Sequence, residues 1–197
     1  MIFCRTRRSA QRVLASVTKY IEAGFHLKVN RDKTVVSHIK DVKFLGFGFY
    51  FNKKGCSIRT HNKSIAKMKA KIKELTSRSK GWGNERSKEA LTQYIMGWLN
   101  YFRLADMKNL LVRIDEWFRR RLRSLIWKQW KRTKTKLRNL IKLGIPKQKA
   151  WEYANTRKGY WRTAVSPILK RSITNERLNQ AGYFFFSDYY SKVHGVN

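Results

Sequence analysis

Trp117-Phe-Arg-Arg-Arg-Leu-Arg-Ser-Leu-Ile-Trp127-Lys-Gln-Trp130-Lys-Arg132 is the stretch on which the fold turns. With Ile114 just upstream, Trp117, Phe118, Leu122, Leu125 and Ile126 recur at helical spacing, while Arg119, Arg120, Arg121, Arg123, Lys128, Lys131 and Arg132 fill the remaining positions. An apolar stripe on a cationic cylinder is the signature of a helix with one packed side and one charged side. The spacing predicts a long helix from an Asp106 cap to about Lys131, with Trp117 and Trp127 in the core. The adjacent Asp115-Glu116 pair reads as salt-bridging helix surface, because neighbouring positions on a helix point about 100° apart.

Two further helices precede it. Asn62 to Ser77 places Ile65, Met68, Ile72 and Leu75 on one stripe. Gly81-Trp82-Gly83 breaks the pattern, Asn84 or Ser87 offers a cap, and Leu91, Tyr94, Ile95, Trp98, Leu99 and Phe102 form the next apolar face. The expectation is a three-helix bundle with short connections. After Arg132 the pattern shortens: Leu137 to Leu143 stops at Gly144, Pro146 starts another helix, and Pro167 starts one more. Before the bundle, a strand at Ile2 to Cys4 leads into a helix from Ser9 to Ala23, with Gly24 as a left-handed cap. Extended pieces follow at Leu27 to Val29 and Thr34 to Val36. A hairpin is expected from Lys43 to Phe51, turning at Asn52 to Gly55 and returning over Cys56 to Arg59. The fold class is therefore an α+β remnant followed by mainly α structure, divided as 1–60, a helical bundle over 61–131 and a small helical module over 132–197.

The 197 residues carry 45 Lys and Arg against 12 Asp and Glu, a formal net charge of +33, yet 42% of the chain is hydrophobic. Such a chain can bury a core, and its excess charge calls for a polyanion. No apolar run approaches the roughly 18 residues of a spanning helix, so no membrane partner is expected, and the location expected is cytoplasmic. Cys4 and Cys56 are too far apart for a zinc motif, and His26, His38, His61 and His194 have no metal-ligand spacing. The carboxylates are scattered, without the convergent set that two-metal polymerases and nucleases require. The sequence points to no catalytic residue, no metal and no cofactor.

Lys28-Val-Asn-Arg-Asp-Lys33-Thr34 and Lys43-Phe-Leu-Gly-Phe-Gly-Phe49 resemble the last two blocks of the reverse transcriptase palm in bacterial group II intron proteins. Tyr94-Ile-Met-Gly-Trp-Leu-Asn-Tyr-Phe102 looks like that family's thumb, also termed domain X or the maturase-specific domain. Arg157-Lys-Gly-Tyr-Trp-Arg162 with Ser166-Pro167 is similar to the DNA-binding region beyond it. The resemblance implies a partial palm hairpin at 1–60, the thumb at 61–131 and a DNA-binding module at 132–197. The Tyr-Ala-Asp-Asp catalytic loop of the family would precede Ile2, so polymerase activity does not carry over.

What carries over is grip. The family likeness implies intron RNA, target DNA or a template-primer duplex as partners, in support of intron splicing and mobility. A separately encoded palm and fingers fragment is a further possible partner, which would make the chain the C-terminal piece of a split polymerase. A DNA-binding structural protein unrelated to introns is the other alternative. The residues expected to meet nucleic acid are Lys33, Arg119, Arg120, Arg123, Lys128, Lys131, Arg132, Lys147, Lys149, Arg157, Lys158 and Arg162. Gly46 and Gly48 are expected to let backbone approach a primer strand, or else to mark a strand bulge. Exchanging Arg119, Arg120 and Arg123 for glutamine is expected to remove three charges and leave the fold intact.

Overall fold

The structure is a computed structural model that describes residues 1–53, 55–77 and 84–194. It is mainly helical, with one small antiparallel sheet. Helix α1 spans Arg7–Gly24, capped by the Thr6 hydroxyl, which accepts from the Ser9 N–H. Strands β1, Phe47–Asn52, and β2, Gly55–Thr60, pair antiparallel with Phe47 opposite Thr60 and Asn52 opposite Gly55. The bundle follows as α2, Asn62–Leu75, α3, Asn84–Tyr101, and α4, Lys108–Gln129. The C-terminal part consists of α5, Thr133–Lys142; α6, Lys147–Ala154; α7, Tyr160–Thr163; α8, Pro167–Ser172; α9, Asn175–Gln180; and α10, Phe186–His194.

The apolar stripes meet as the spacing predicts. Met68 and Ile72 of α2, Ile95 and Leu99 of α3, and Leu111, Phe118 and Leu122 of α4 are all buried. Side chains of this kind contribute roughly 1.5–3 kcal/mol each on burial. The same hydrophobic cluster continues through Leu140, Ile168, Leu169 and Leu178 to Phe185 and Phe186, so the boundary expected at residue 131 falls inside one continuous core. Helix α10 returns onto α3 and α4, with the Phe186 ring edge-on to Trp98 at 5.9 Å between centroids. Trp127 is 1% exposed, as expected for core, whereas Trp117 is only half-buried beneath Lys69.

Asp115 overturns the reading of a surface pair. It is 0% exposed, and its carboxylate accepts from the Phe186 N–H at 2.9 Å, the Ser187 N–H at 2.8 Å and the Ser187 hydroxyl. These are orphan donors of the first turn of α10, where an anion also meets the positive end of the helix dipole. Helical periodicity gives no hint of it, because the partner lies 71 residues away.

The N-terminal layer departs most from expectation. Ile2 to Cys4, Leu27 to Val29 and Thr34 to Val36 form no strands, and no residue of α1 is buried. Short extended pieces need a neighbouring strand to satisfy their backbone, and among the described residues the β pairing is confined to the hairpin and an isolated Phe44–Phe47 bridge. Gly24 stays within α1, and His26, at φ 52°, takes the left-handed position instead. The predicted Gly81-Trp82-Gly83 break, the Asn84 side-chain cap and part of the Asn52 to Gly55 turn lie outside the described residues, and Ser87 sits within α3. Asp106 does not cap α4: its N–H donates to the Ile58 carbonyl and its carboxylate accepts from the Tyr50 hydroxyl at 2.6 Å, so it ties the hairpin to the bundle.

His61 caps α2 at the point where the hairpin joins it, its Nδ1 accepting from the Lys63 N–H at 3.1 Å. Desolvation, then Lys43, Lys63 and Arg59, lower its pKa from the ordinary 6.5. The folded protein thus favours neutral His61, so this contribution to stability is complete above the ordinary value and is lost as pH falls through the lowered one. Asparagine caps without titrating. Thermal melting between pH 7.5 and 5 should therefore show a smaller acid loss in His61→Asn than in the parent; equal losses would contradict the assignment.

Candidate nucleic-acid interface

Helix α4 runs past α7, and the contact is made of cations on rings. The Arg120 guanidinium lies 4.2 Å from the Trp161 ring centroid and donates from Nε and Nη2 to the Trp161 carbonyl at 3.2 and 3.0 Å. Lys128 and Lys136 bring their ammonium groups to 5.9 and 5.8 Å from the Tyr160 ring, and Lys136 also lies 4.7 Å from Trp127. Cations over aromatic faces are attracted by the ring quadrupole, which holds this surface together without neutralising its charge. Arg157, Lys158 and Arg162 flank the Tyr160-Trp161 pair in sequence and are all exposed. Arg120 and Lys128 from the bundle thus meet the Tyr160 and Trp161 rings of the C-terminal module, whose sequence neighbours Arg157, Lys158 and Arg162 are exposed.

Among the described residues, Arg120, Lys128 and Lys136 are not in ion pairs with carboxylates. The ion pairs found among the described residues, Lys71–Glu74 and Lys88–Glu85, are neighbours within α2 and α3. Lys131 and Arg132 are exposed between α4 and α5, and Lys147 and Lys149 are exposed on the first turns of α6. The lysines and arginines of these elements extend the positive surface from the α4–α7 junction along the C-terminal half.

Several expected contacts are used by the fold instead. Arg123 is 8% exposed; its Nε donates to the Ile173 carbonyl at 2.8 Å and Nη2 to the Asn175 side-chain oxygen at 2.9 Å. A guanidinium so enclosed joins α4 to the α8–α9 corner, and burial lowers its pKa. The expectation that Arg123→Gln spares the fold is corrected by this geometry. Arg121 likewise donates to Thr76 Oγ1 and the Lys73 carbonyl, locking α4 to the end of α2. Arg119 is half-buried, its guanidinium 4.6 Å from the Phe185 ring and its Nε buried without a hydrogen-bond partner.

The two glycines also serve packing. Gly46 has φ +85°, and a Cβ there would lie 3.0 Å from Phe102 Cζ and from Ser64 Oγ. Its carbonyl accepts from the His61 N–H and the Ser64 hydroxyl, so the missing side chain lets the hairpin dock on α2 and α3. Gly48 is buried opposite Arg59 in an unbroken one-to-one register, so no bulge forms there. Lys33 is exposed in a turn whose neighbours Arg31 and Thr34 line a cleft with α1, on the N-terminal layer rather than at the α4–α7 junction.

Among the described residues, no group of three or more His, Cys, Asp or Glu is placed to hold a metal ion, and no helix is long and apolar enough to cross a membrane. Residues 65–144 match the sequence model of the family described as "Group II intron, maturase-specific domain", from the start of α2 to just beyond α5. No curated protein matches the chain.

Proposed function

We propose that this chain, which carries a group II intron maturase-specific domain over residues 65–144, binds structured intron RNA and has no polymerase chemistry of its own. The observation that carries the reading is the α4–α7 junction, where Arg120, Lys128 and Lys136 gather on Tyr160 and Trp161 beside exposed Arg157, Lys158 and Arg162. Phosphate contacts supply affinity and position; exposed rings supply sequence-tolerant contact with unpaired bases. The same surface suits DNA phosphates, and the family likeness of Arg157 to Arg162 supports target DNA as a further partner.

The test is retention of RNA as salt rises. Binding to many nucleic acids is expected at low salt, because counterion release is indifferent to sequence. Group II intron RNA should remain bound at salt concentrations that release an unrelated structured RNA of equal length, and primer extension with magnesium should show no nucleotide incorporation. Parallel release of both RNAs would contradict the maturase assignment. Nucleotide incorporation surviving purification controls would contradict the absence of chemistry.

A second reading rests on the N-terminal layer, where Ile2, Phe3, Phe25, Leu27 and Val35 are each about 60–70% exposed. Large apolar side chains this exposed suit a surface that another polypeptide covers. This exposure favours association with a separately encoded palm and fingers fragment, detectable as a stable complex when the two are expressed together.

A further inference from the structure

On the side of Trp161 toward the chain's α8–α9 corner lies a cleft of about 810 Å³, within the size range of small-ligand sites. Arg113, Arg119 and Lys170 line it, together with Trp117, and two carboxylates, Glu116 and Glu176, share its wall. Its other cations, Arg120 and Arg123, are committed to Trp161 and to the Ile173 and Asn175 oxygens. Arg113 and Lys170 are exposed, whereas Arg119 lies half-buried against the Phe185 ring. An indole has two faces; Arg120 covers one, and Trp161 remains 40% exposed.

We infer that this cleft takes one unpaired nucleotide of a bound RNA strand, its phosphate between Arg113 and Lys170 and its base stacked on Trp161. The inference rests on the RNA-binding reading above and assigns it a particular ligand. A cation set alone would accept any polyanion, but the indole wall selects a partner with a flat face beside its phosphate. A base inside a duplex has no such face free; a splayed loop nucleotide has. Glu116 and Glu176 cannot accept a bond from an ionised phosphodiester, which has no proton to donate, but they can accept one from a ribose 2′-hydroxyl or a base amino group.

The experiment uses the full chain and an RNA hairpin with 2-aminopurine in its loop, compared with the same hairpin carrying an abasic loop nucleotide and with a fully paired duplex. Stacking on Trp161 should quench the probe, and the abasic hairpin should bind about tenfold more weakly, in line with typical base–aromatic stacking. Trp161→Leu should abolish the quench and bind both hairpins alike; Trp161→Tyr keeps a ring and should keep the quench, which separates stacking from folding. Arg113→Gln and Lys170→Gln, both at exposed positions, should each lower the salt slope by about 0.7. Undiminished binding of the abasic hairpin, or a quench that survives Trp161→Leu, overturns the inference and leaves the RNA-binding reading standing. Failure of the parent chain to bind any of the RNAs overturns that reading itself.

Discussion

Asp115→Ala lowers the melting temperature by roughly 4–24 °C, since stranding the Phe186 and Ser187 backbone donors costs ~1–3 kcal/mol each and a chain of this length loses ~2–4 °C per kcal/mol. No other group satisfies these two N–H groups once the carboxylate is gone. What is lost is more than a cap, because α10 carries Phe186, 0% exposed, onto Trp98 and Phe118. Burial raises the Asp115 pKa, against the downward pull of Ser187, Phe186 and Arg119. Charge at this position is therefore costly, and the acceptor oxygens matter more than the charge. Asp115→Asn retains one acceptor and should fall between parent and alanine variant. Thermal melting decides: an alanine variant as stable as the parent would mean that α10 is not anchored here.

Arg123→Gln should cost ~2–4 kcal/mol, because two hydrogen bonds from a charged donor are lost and the Ile173 carbonyl is left buried and unpaired. Lys128→Gln, at an exposed position in the last turn of α4, should change stability by less than ~0.5 kcal/mol. The two residues lie on the same helix and carry the same charge, so the contrast separates cations that build the fold from cations that face solvent. Urea unfolding of the two variants measures it. Equal losses would mean that Arg123 is not enclosed as described.

The helices were legible because their information is local. Met68, Ile72, Ile95, Leu99, Phe118 and Leu122 recur at helical spacing and are buried. Gly144 ends α5 at φ +88°, and Pro167 opens α8 behind the Ser166 cap. The hairpin was legible for the same reason, since alternating strand formers flank a turn. The roles of individual charges were not. Asp115, Arg121, Arg123 and Asp106 act on partners 45 to 71 residues away or on the hairpin, and no spacing rule reaches that far. Arginine on a helix looks alike in sequence whether it meets solvent or a buried carbonyl. The Arg157 to Arg162 motif was visible, but that its Tyr160 and Trp161 rings would gather Arg120, Lys128 and Lys136 from α4 and α5 required the fold.

We propose that the exposed cations of the α4–α7 junction hold nucleic acid by its phosphates. This is tested most directly by the salt dependence of RNA binding in a variant with Lys128, Arg157, Lys158 and Arg162 all changed to glutamine, positions exposed and outside the core. Fluorescence anisotropy across a salt series gives the slope of log affinity against log salt, and circular dichroism confirms the helices. If all four meet phosphates, the slope should fall by roughly three units at unchanged melting temperature. A slope equal to the parent's in a folded variant would contradict the claim and place the RNA elsewhere on the chain.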